Sequence, residues 1–505
     1  MKLSIYHKSS VEYRHHQIEA LGKLAPKSSF LLSTPTGGGK TLISLSTIAY
    51  SFQFNKITRA IFVVEPKNSE QTGNEVKKYF NNLPVSIFTY KDKKARTRMY
   101  EEFLSNPEHK IMIINYELLR NDLNLISKIF HVHKVALVLD EATKFKTRTT
   151  QINKIISRFA SMSQRTLALT ATPIMNKLED LHIICQTIGI NAVSDFTFYN
   201  QHCEFTTKHF GKRKVRHINS FKNLEAYYQK ISAYSFFKKK SDFIDTSFSY
   251  SKVNLQLGDE EKLALNIIKK ELKDKNDMKS EGNFIDKDTP KESLSVSRIA
   301  IALSSPSLIT GNTHIISVKE QDLMDFIDND LDEKMMVYTP FKTIVDRLEE
   351  ILNNKYGKDF AVSIHGETKN VEAIKHKIIN NPKTKILLGT SSIEKGLDGL
   401  QAVVDTEYMF TLPISAGSFL QLLGRTSRDG GLFKNITVVI PFMGKHLMDF
   451  DLWILIQNQF RMIQQVAPDT LEQGCIDEDM AEFLPVGNIE NGSAWLKSKL
   501  NVSYG

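Results

Sequence analysis

A chain of 505 residues with 41% hydrophobic and 24% charged residues has the make-up of an ordinary globular protein, long enough for two or three domains with cores of their own. Its net charge of +9 suits a polyanionic partner without requiring one. The three cysteines, Cys185, Cys203 and Cys475, stand far apart with no C-x-x-C pair, which argues against a zinc site or a disulfide framework and for a reducing compartment. The opening MKLSIYHKSSVEYRHHQ lacks the apolar core of a signal peptide, and no stretch approaches the roughly 20 apolar residues that span a bilayer. Cytoplasm, whether a nucleoid or a host cell's, is the expected location.

Taken in chain order, short apolar runs alternate with helical stretches: SSFLLS and a helix from Lys40, RAIFVVEP and a helix from Asn74 to Phe80, then KIMIINYE, HKVALVLDE and RTLALTATP. Short Leu-rich or β-branched runs separated by amphipathic segments predict a doubly wound parallel sheet, buried on both faces. A second series starts near Lys334 with EKMMVYTP and continues through DFAVSIHGE, TKILLGTS, VVDTEYMFTL and NITVVIPF. Two α/β domains are therefore expected, at 1–190 and 331–445. Between them, 191–330 reads as a helical, basic insertion with few strand signals, including HFGKRKVRHI, FFKKKSDF and EEKLALNIIKKEL. Its charged tract near 273–292 reads as a mobile linker. Residues 446–505 read as a helical extension, DLWILIQNQFRMIQQV followed by NGSAWLKSKL.

Chemistry gathers first at STPTGGGKT, Ser33 to Thr41, which follows an apolar run and opens a helix. Glycines there let backbone N–H groups approach phosphate oxygens, Lys40 reaches the β and γ phosphates, and the Thr41 hydroxyl meets Mg²⁺. Thr36, Gly37, Gly38, Gly39, Lys40 and Thr41 are thus the candidate ATP-binding residues, with Thr34 standing where the common pattern G-x-x-x-x-G-K-[ST] has its first glycine. HKVALVLDEAT supplies the acidic partner at the end of another strand: Asp140 to hold Mg²⁺ with Thr41, and Glu141 to orient and deprotonate the attacking water.

These strings resemble, in order, the motifs of superfamily 2 helicases and translocases, a resemblance that covers most of the chain. TPTGGGKT and DEAT look like motifs I and II of the DEAD/DEAH-type ATPases, LTATP like motif III, and QLLGRTSR, Gln421 to Arg428, like motif VI. The resemblance implies two RecA-like domains closing on one ATP, with Arg425 and Arg428 neutralising charge on the γ-phosphate and Gln421 beside them. Such an arginine is worth about 10³ to 10⁵ in rate in related phosphate chemistry. YRHHQIEAL resembles the Q-motif, with Gln17 reading the adenine edge. Thr170, Ala171 and Thr172 of motif III, with Gly396 and Asp398 of the motif V-like LLGTSSIEKGLDGL, would couple nucleotide to polymer. Nucleic-acid contacts are implied at Pro66 and Lys67 (motif Ia), Asn115 and Tyr116 (motif Ib), and Thr390 and Ser391 (motif V), all holding phosphates without reading sequence.

Finer features resemble the Snf-type translocases: LTATPIMNKLEDL, the extended DEATKFKTRTT, the basic SFFKKKSDF and IALSSPSLI. Departures at Thr143, at Ala171 and after motif VI resemble instead compact phage and bacterial helicases of the UvsW type, which remodel branched DNA. The basic cluster around Lys212 and Arg213 is either a solvated charged hairpin or a segment that tracks a phosphate backbone or wedges at a fork. The expected function is an ATP- and Mg²⁺-dependent DNA translocase or helicase acting as a monomeric motor. An RNA-directed helicase, or the motor subunit of a larger restriction, defence or repair assembly, stands as the alternative.

Overall fold

A computed structural model describes residues 5–483, apart from 36, 89–91, 176, 211–212, 243–244, 281–292, 394–398, 428–430, 445–447 and 472–474. The chain divides into two compact units, Met1–Phe243 with Arg461–Glu472, and Ile244–Phe460 with Gln473–Gly505.

The first unit is built on a seven-stranded sheet. Its strands are β1 (Ser29–Ser33), β2 (Arg59–Val64), β3 (Val85–Ile87), β4 (Ile111–Asn115), β5 (Val135–Leu139) and β6 (Arg165–Thr170); the hairpin β7 (Cys203–Phe210) and β8 (Arg213–Phe221) stands apart from it, and β9 (Ser235–Phe237) completes it. The sheet order is β3-β4-β2-β5-β6-β1-β9, and the pairings are parallel throughout. Burial explains why these runs become strands of a parallel sheet. Phe30, Leu32, Phe62, Ile113, Val138 and Leu167 enter one core with Ile43, Leu45 and Ile48 of the helix behind β1, while the alternate residues Leu31, Ile61, Leu137 and Ala168 are also wholly buried. A sheet covered on both faces needs continuous apolar runs rather than alternation, and each large side chain so buried stabilises by about 1.5–3 kcal/mol.

In the second unit β10 (Ser247–Leu255), β11 (Met335–Tyr338), β12 (Ala361–Ile364), β13 (Ile386–Gly389), β14 (Thr406–Met409) and β15 (Asn435–Met443) form a parallel sheet in the order β10-β15-β14-β11-β13-β12. Its core joins Val337, Leu388 and Tyr408 to Ile344, Val345 and Leu348 of the following helix Lys342–Tyr356. A buried ion pair braces it. Arg347 donates to both carboxylate oxygens of Glu320, at 2.6 and 3.1 Å, and to the carbonyls of Thr313 and Ile315.

All ten apolar runs read from the sequence are strands, and both sheets are doubly wound and RecA-like. The segment between them differs in part from its expected helical texture, because β7 to β10 all fall within it. Three-residue strands such as β9 carry too little pattern to be seen, and β10, an edge strand, has only exposed and half-buried residues in a polar sequence. The helix Asp259–Ser280 also carries the chain through the first part of the tract expected to be a linker; residues 281–292 and the NGSAWLKSKL segment lie outside the described residues. Among the described residues no helix is long and apolar enough to cross a membrane.

Candidate nucleotide site

Parallel strands bring their C-terminal ends to one edge of a sheet, which is where ligands bind in open α/β folds. In the first unit this edge collects the strings after β1, β2, β4, β5 and β6. Ser33 is level with Thr170, and Val63 with Leu139.

Beyond β1 the chain turns through Gly37 and Gly39, with φ of 85° and 78°, and enters the helix Lys40–Gln53 with Gly39 as its N-cap. These left-handed angles suit glycine and strain other residues. Lys40 Nζ donates to the carbonyls of Thr34 and Pro35, at 2.6 and 3.1 Å, so its ammonium sits in the hollow of the loop. The hydroxyls of Ser33 and Thr34 are buried and find no hydrogen-bond partner among the described residues. Gln17 lies against the loop: its Oε1 accepts from the Arg14 N–H at 3.0 Å, and a Cβ on Gly39 would stand 2.3 Å from its Nε2. His16, a residue the sequence reading passed over, donates from Nε2 to the Gly38 carbonyl at 3.0 Å; burial first of all holds its pKa below the ordinary value.

Across the edge, Asp140 and Glu141 follow β5. Burial pushes the Asp140 carboxyl up to about 6, and the Glu141 charge adds to this; Lys40, the Glu141 N–H and Asn68 draw it down. Glu141 is held in the left-handed region at φ 56°, and its Oε1 accepts from Thr143 at 3.0 Å. Asn68, in the 3-10 turn Pro66–Asn68 after β2, and Glu75, on the helix Ser69–Tyr79, also belong to the site, although nothing in the sequence singled them out. Glu75 hydrogen-bonds Thr41 and Gln71, and its carboxyl is raised by burial and by the charge of Asp140. Lys144 pairs with Glu65 at 2.7 Å.

Thr41, Asp140 and Glu75 are hard oxygen donors, the chemistry that Mg²⁺ selects. No group of three or more His, Cys, Asp or Glu among the described residues could hold a metal by itself.

Motif III turns on itself. The Thr170 hydroxyl donates to the Thr172 carbonyl at 3.2 Å and accepts from the Thr172 N–H at 3.1 Å, leaving Ala171 half-buried at the edge. It is tied to the extension of motif II through the helix Leu178–Thr187. Lys146 meets the buried Asp180 at 3.3 Å, and Arg148 grips Asp195 with two bonds, at 2.7 and 2.8 Å. Asp195 also faces His182 Nε2 at 2.9 Å. Burial lowers the His182 pKa to about 4, and its ring stacks on Phe198 at 3.9 Å.

At the end of β4 the Asn115 side chain caps the next helix by accepting from the Leu118 N–H at 2.8 Å, and the Tyr116 hydroxyl donates to the Asp140 carbonyl at 2.5 Å. Pro66 is exposed, and Lys67 follows it in the same turn. In the second unit Thr390 directly follows β13, its hydroxyl donating to that of Ser392 at 3.5 Å, and Ser391 is exposed. Gln421 and Arg425 lie on the helix Ala416–Thr426, Gln421 half-buried and Arg425 only 8% exposed. Thr36, Lys212, Gly396, Asp398 and Arg428 lie outside the described residues, and Arg213 begins β8.

The model of the SNF2-related domain matches residues 13–291, more than half of the chain, and the helicase conserved C-terminal domain matches residues 318–430. This chain belongs to the SNF2-related family. The SNF2-related chain is 24% identical over 36% of its length to the ISWI chromatin-remodeling complex ATPase ISW1 of Saccharomyces cerevisiae, covering 16% of that protein. It is 25% identical over 34% of its length to the DNA repair and recombination protein RAD54B of Gallus gallus, covering 18% of it. It therefore spans under a fifth of the length of these relatives. Among solved structures, the Hef helicase domain of Pyrococcus furiosus matches 86% of this SNF2-related chain and 96% of its own, with a TM-score of 0.51 and 16% identity, a likeness of fold.

Proposed function

We propose that the protein is a nucleic-acid-stimulated ATPase that uses ATP hydrolysis to move along or remodel duplex or branched DNA, in the manner of a compact, UvsW-like superfamily 2 motor. The observation that carries this reading is the convergence of Lys40, Thr41, Asp140 and Glu141 on one sheet edge of a chain in the SNF2-related family. A phosphate chain entering the loop would take over the Lys40 ammonium from the Thr34 and Pro35 carbonyls, exchanging neutral acceptors for charged ones. Bound Mg²⁺, held by Thr41 and Asp140, would supply positive charge across the phosphates. Glu141 takes the proton from the attacking water, and its fixed backbone keeps the carboxylate aimed. Arg425 and Arg428 are proposed to meet the charge that develops in the transition state.

DNA as the polymer is supported by the names of the relatives, several of them repair proteins, and by the basic balance of the chain. The test measures ATP hydrolysis with no polymer, duplex DNA, forked DNA, single-stranded DNA and RNA. Duplex or forked DNA should raise the rate at least tenfold, and Lys40→Ala should abolish it. Equal rates in every arm would refute the motor reading, and stimulation by RNA alone would replace DNA with RNA.

A further inference from the structure

Tyr116 begins the helix Tyr116–Asn121, two strands away from Asp140 in the sheet. Asn115 at the end of β4 is level with Val64, and Val63 is level with Leu139. Asp140 N–H donates to the Val63 carbonyl at 2.9 Å, so the end of β2 lies between the two segments. The tyrosine side chain reaches over it and donates to the Asp140 carbonyl at 2.5 Å.

The accepting carbonyl belongs to the peptide that joins Asp140 to Glu141. The carbonyl end of that peptide is therefore fixed by the tyrosine, and the residue that follows is in the left-handed region at φ 56°. A glutamate there costs about 1–2 kcal/mol relative to a right-handed conformation and persists only where its surroundings hold it.

We infer that Tyr116 is a positioning residue for ATP hydrolysis, clamping the Asp140–Glu141 peptide so that Glu141 stays aimed at the attacking water. The inference rests on the reading of Glu141 as the group that activates that water. It also gives the Tyr116 hydroxyl a task directed at the nucleotide site rather than at a polymer.

The experiment is a double-mutant cycle of Tyr116→Phe and Glu141→Gln in the full chain. Rates are measured at saturating DNA and normalised to the stoichiometry of nucleotide binding, so that any unfolded fraction drops out. Tyr116→Phe should lower kcat about tenfold, the order expected when one net hydrogen bond's worth of alignment is lost. KM for ATP and the dissociation constant for DNA should stay within twofold of the parent. In the Glu141→Gln background the same change should have no further effect, because the two residues act as one unit. A kcat unchanged by Tyr116→Phe, an equal loss in both backgrounds, or a weakened grip on DNA at unchanged kcat would each overturn the inference. Undiminished hydrolysis in Glu141→Gln would overturn the underlying reading of Glu141 instead.

Discussion

Gly39→Ala tests whether the phosphate loop is as tightly determined as its geometry indicates. At φ 78° an alanine pays about 1–2 kcal/mol for the left-handed conformation. Its Cβ would also stand 2.3 Å from Gln17 Nε2 and 3.3 Å from Gln17 Cδ. Moving the glutamine amide aside strains its 3.0 Å bond to the Arg14 N–H, whose loss would add a further 0.5–1.5 kcal/mol or so. The sum is about 2–3 kcal/mol, which for a domain of about 150–250 residues lowers the melting temperature by roughly 5–10 °C. Thermal unfolding monitored by circular dichroism and titration with a fluorescent ADP give the two readouts, and any relaxation of the loop that spares stability should reappear as weaker nucleotide binding. Adding Gln17→Ala removes the collision but not the strain, so the pair should cost less than the two single changes together. A Gly39→Ala protein that melts and binds nucleotide like the parent would refute the argument.

Two further outcomes follow from buried charge. His182, with its pKa lowered to about 4 from an ordinary 6.5 by burial, is neutral in the folded protein and protonated in the unfolded chain below pH 6.5. Its contribution is complete above that pH and is lost as pH falls toward 4, about 3 kcal/mol in all; urea melts from pH 7 to 4 should show this slope, and His182→Phe should flatten it. Arg347→Met leaves the wholly buried Glu320 without its cation and should destabilise the second unit by about 3–5 kcal/mol. The loss should be smaller when Glu320→Gln is added, as read by denaturant unfolding.

What the sequence disclosed follows a physical rule. STPTGGGKT and LVLDEAT are legible because a loop that wraps phosphate, and an acid at a strand end, need their residues contiguous. Parallel pairing then delivers such strings to one edge of the sheet. His16, Asn68 and Glu75 were invisible for the opposite reason: each enters the site through a single contact made by the fold, to Gly38, Asp140 and Thr41 respectively. No local pattern marks them. Asn115 and Tyr116 form a string whose resemblance implies a nucleic-acid contact; that the first caps a helix and the second reaches the Asp140 carbonyl depends on the fold and leaves no local pattern. The short β3 and β9 escaped because three residues set no period.

β9 carries a consequence out of proportion to its length. By pairing with Leu31, Leu32 and Ser33 it makes β1 an interior strand, although β9 comes just over two hundred residues later. A fragment ending near residue 190 would keep every residue of the phosphate loop and still leave β1 as a bare edge, its unpaired N–H and C=O groups open to any passing strand. The sheet that carries the nucleotide site thus takes the cover for its edge from within a segment, 191–330, that supplies none of the site's chemistry.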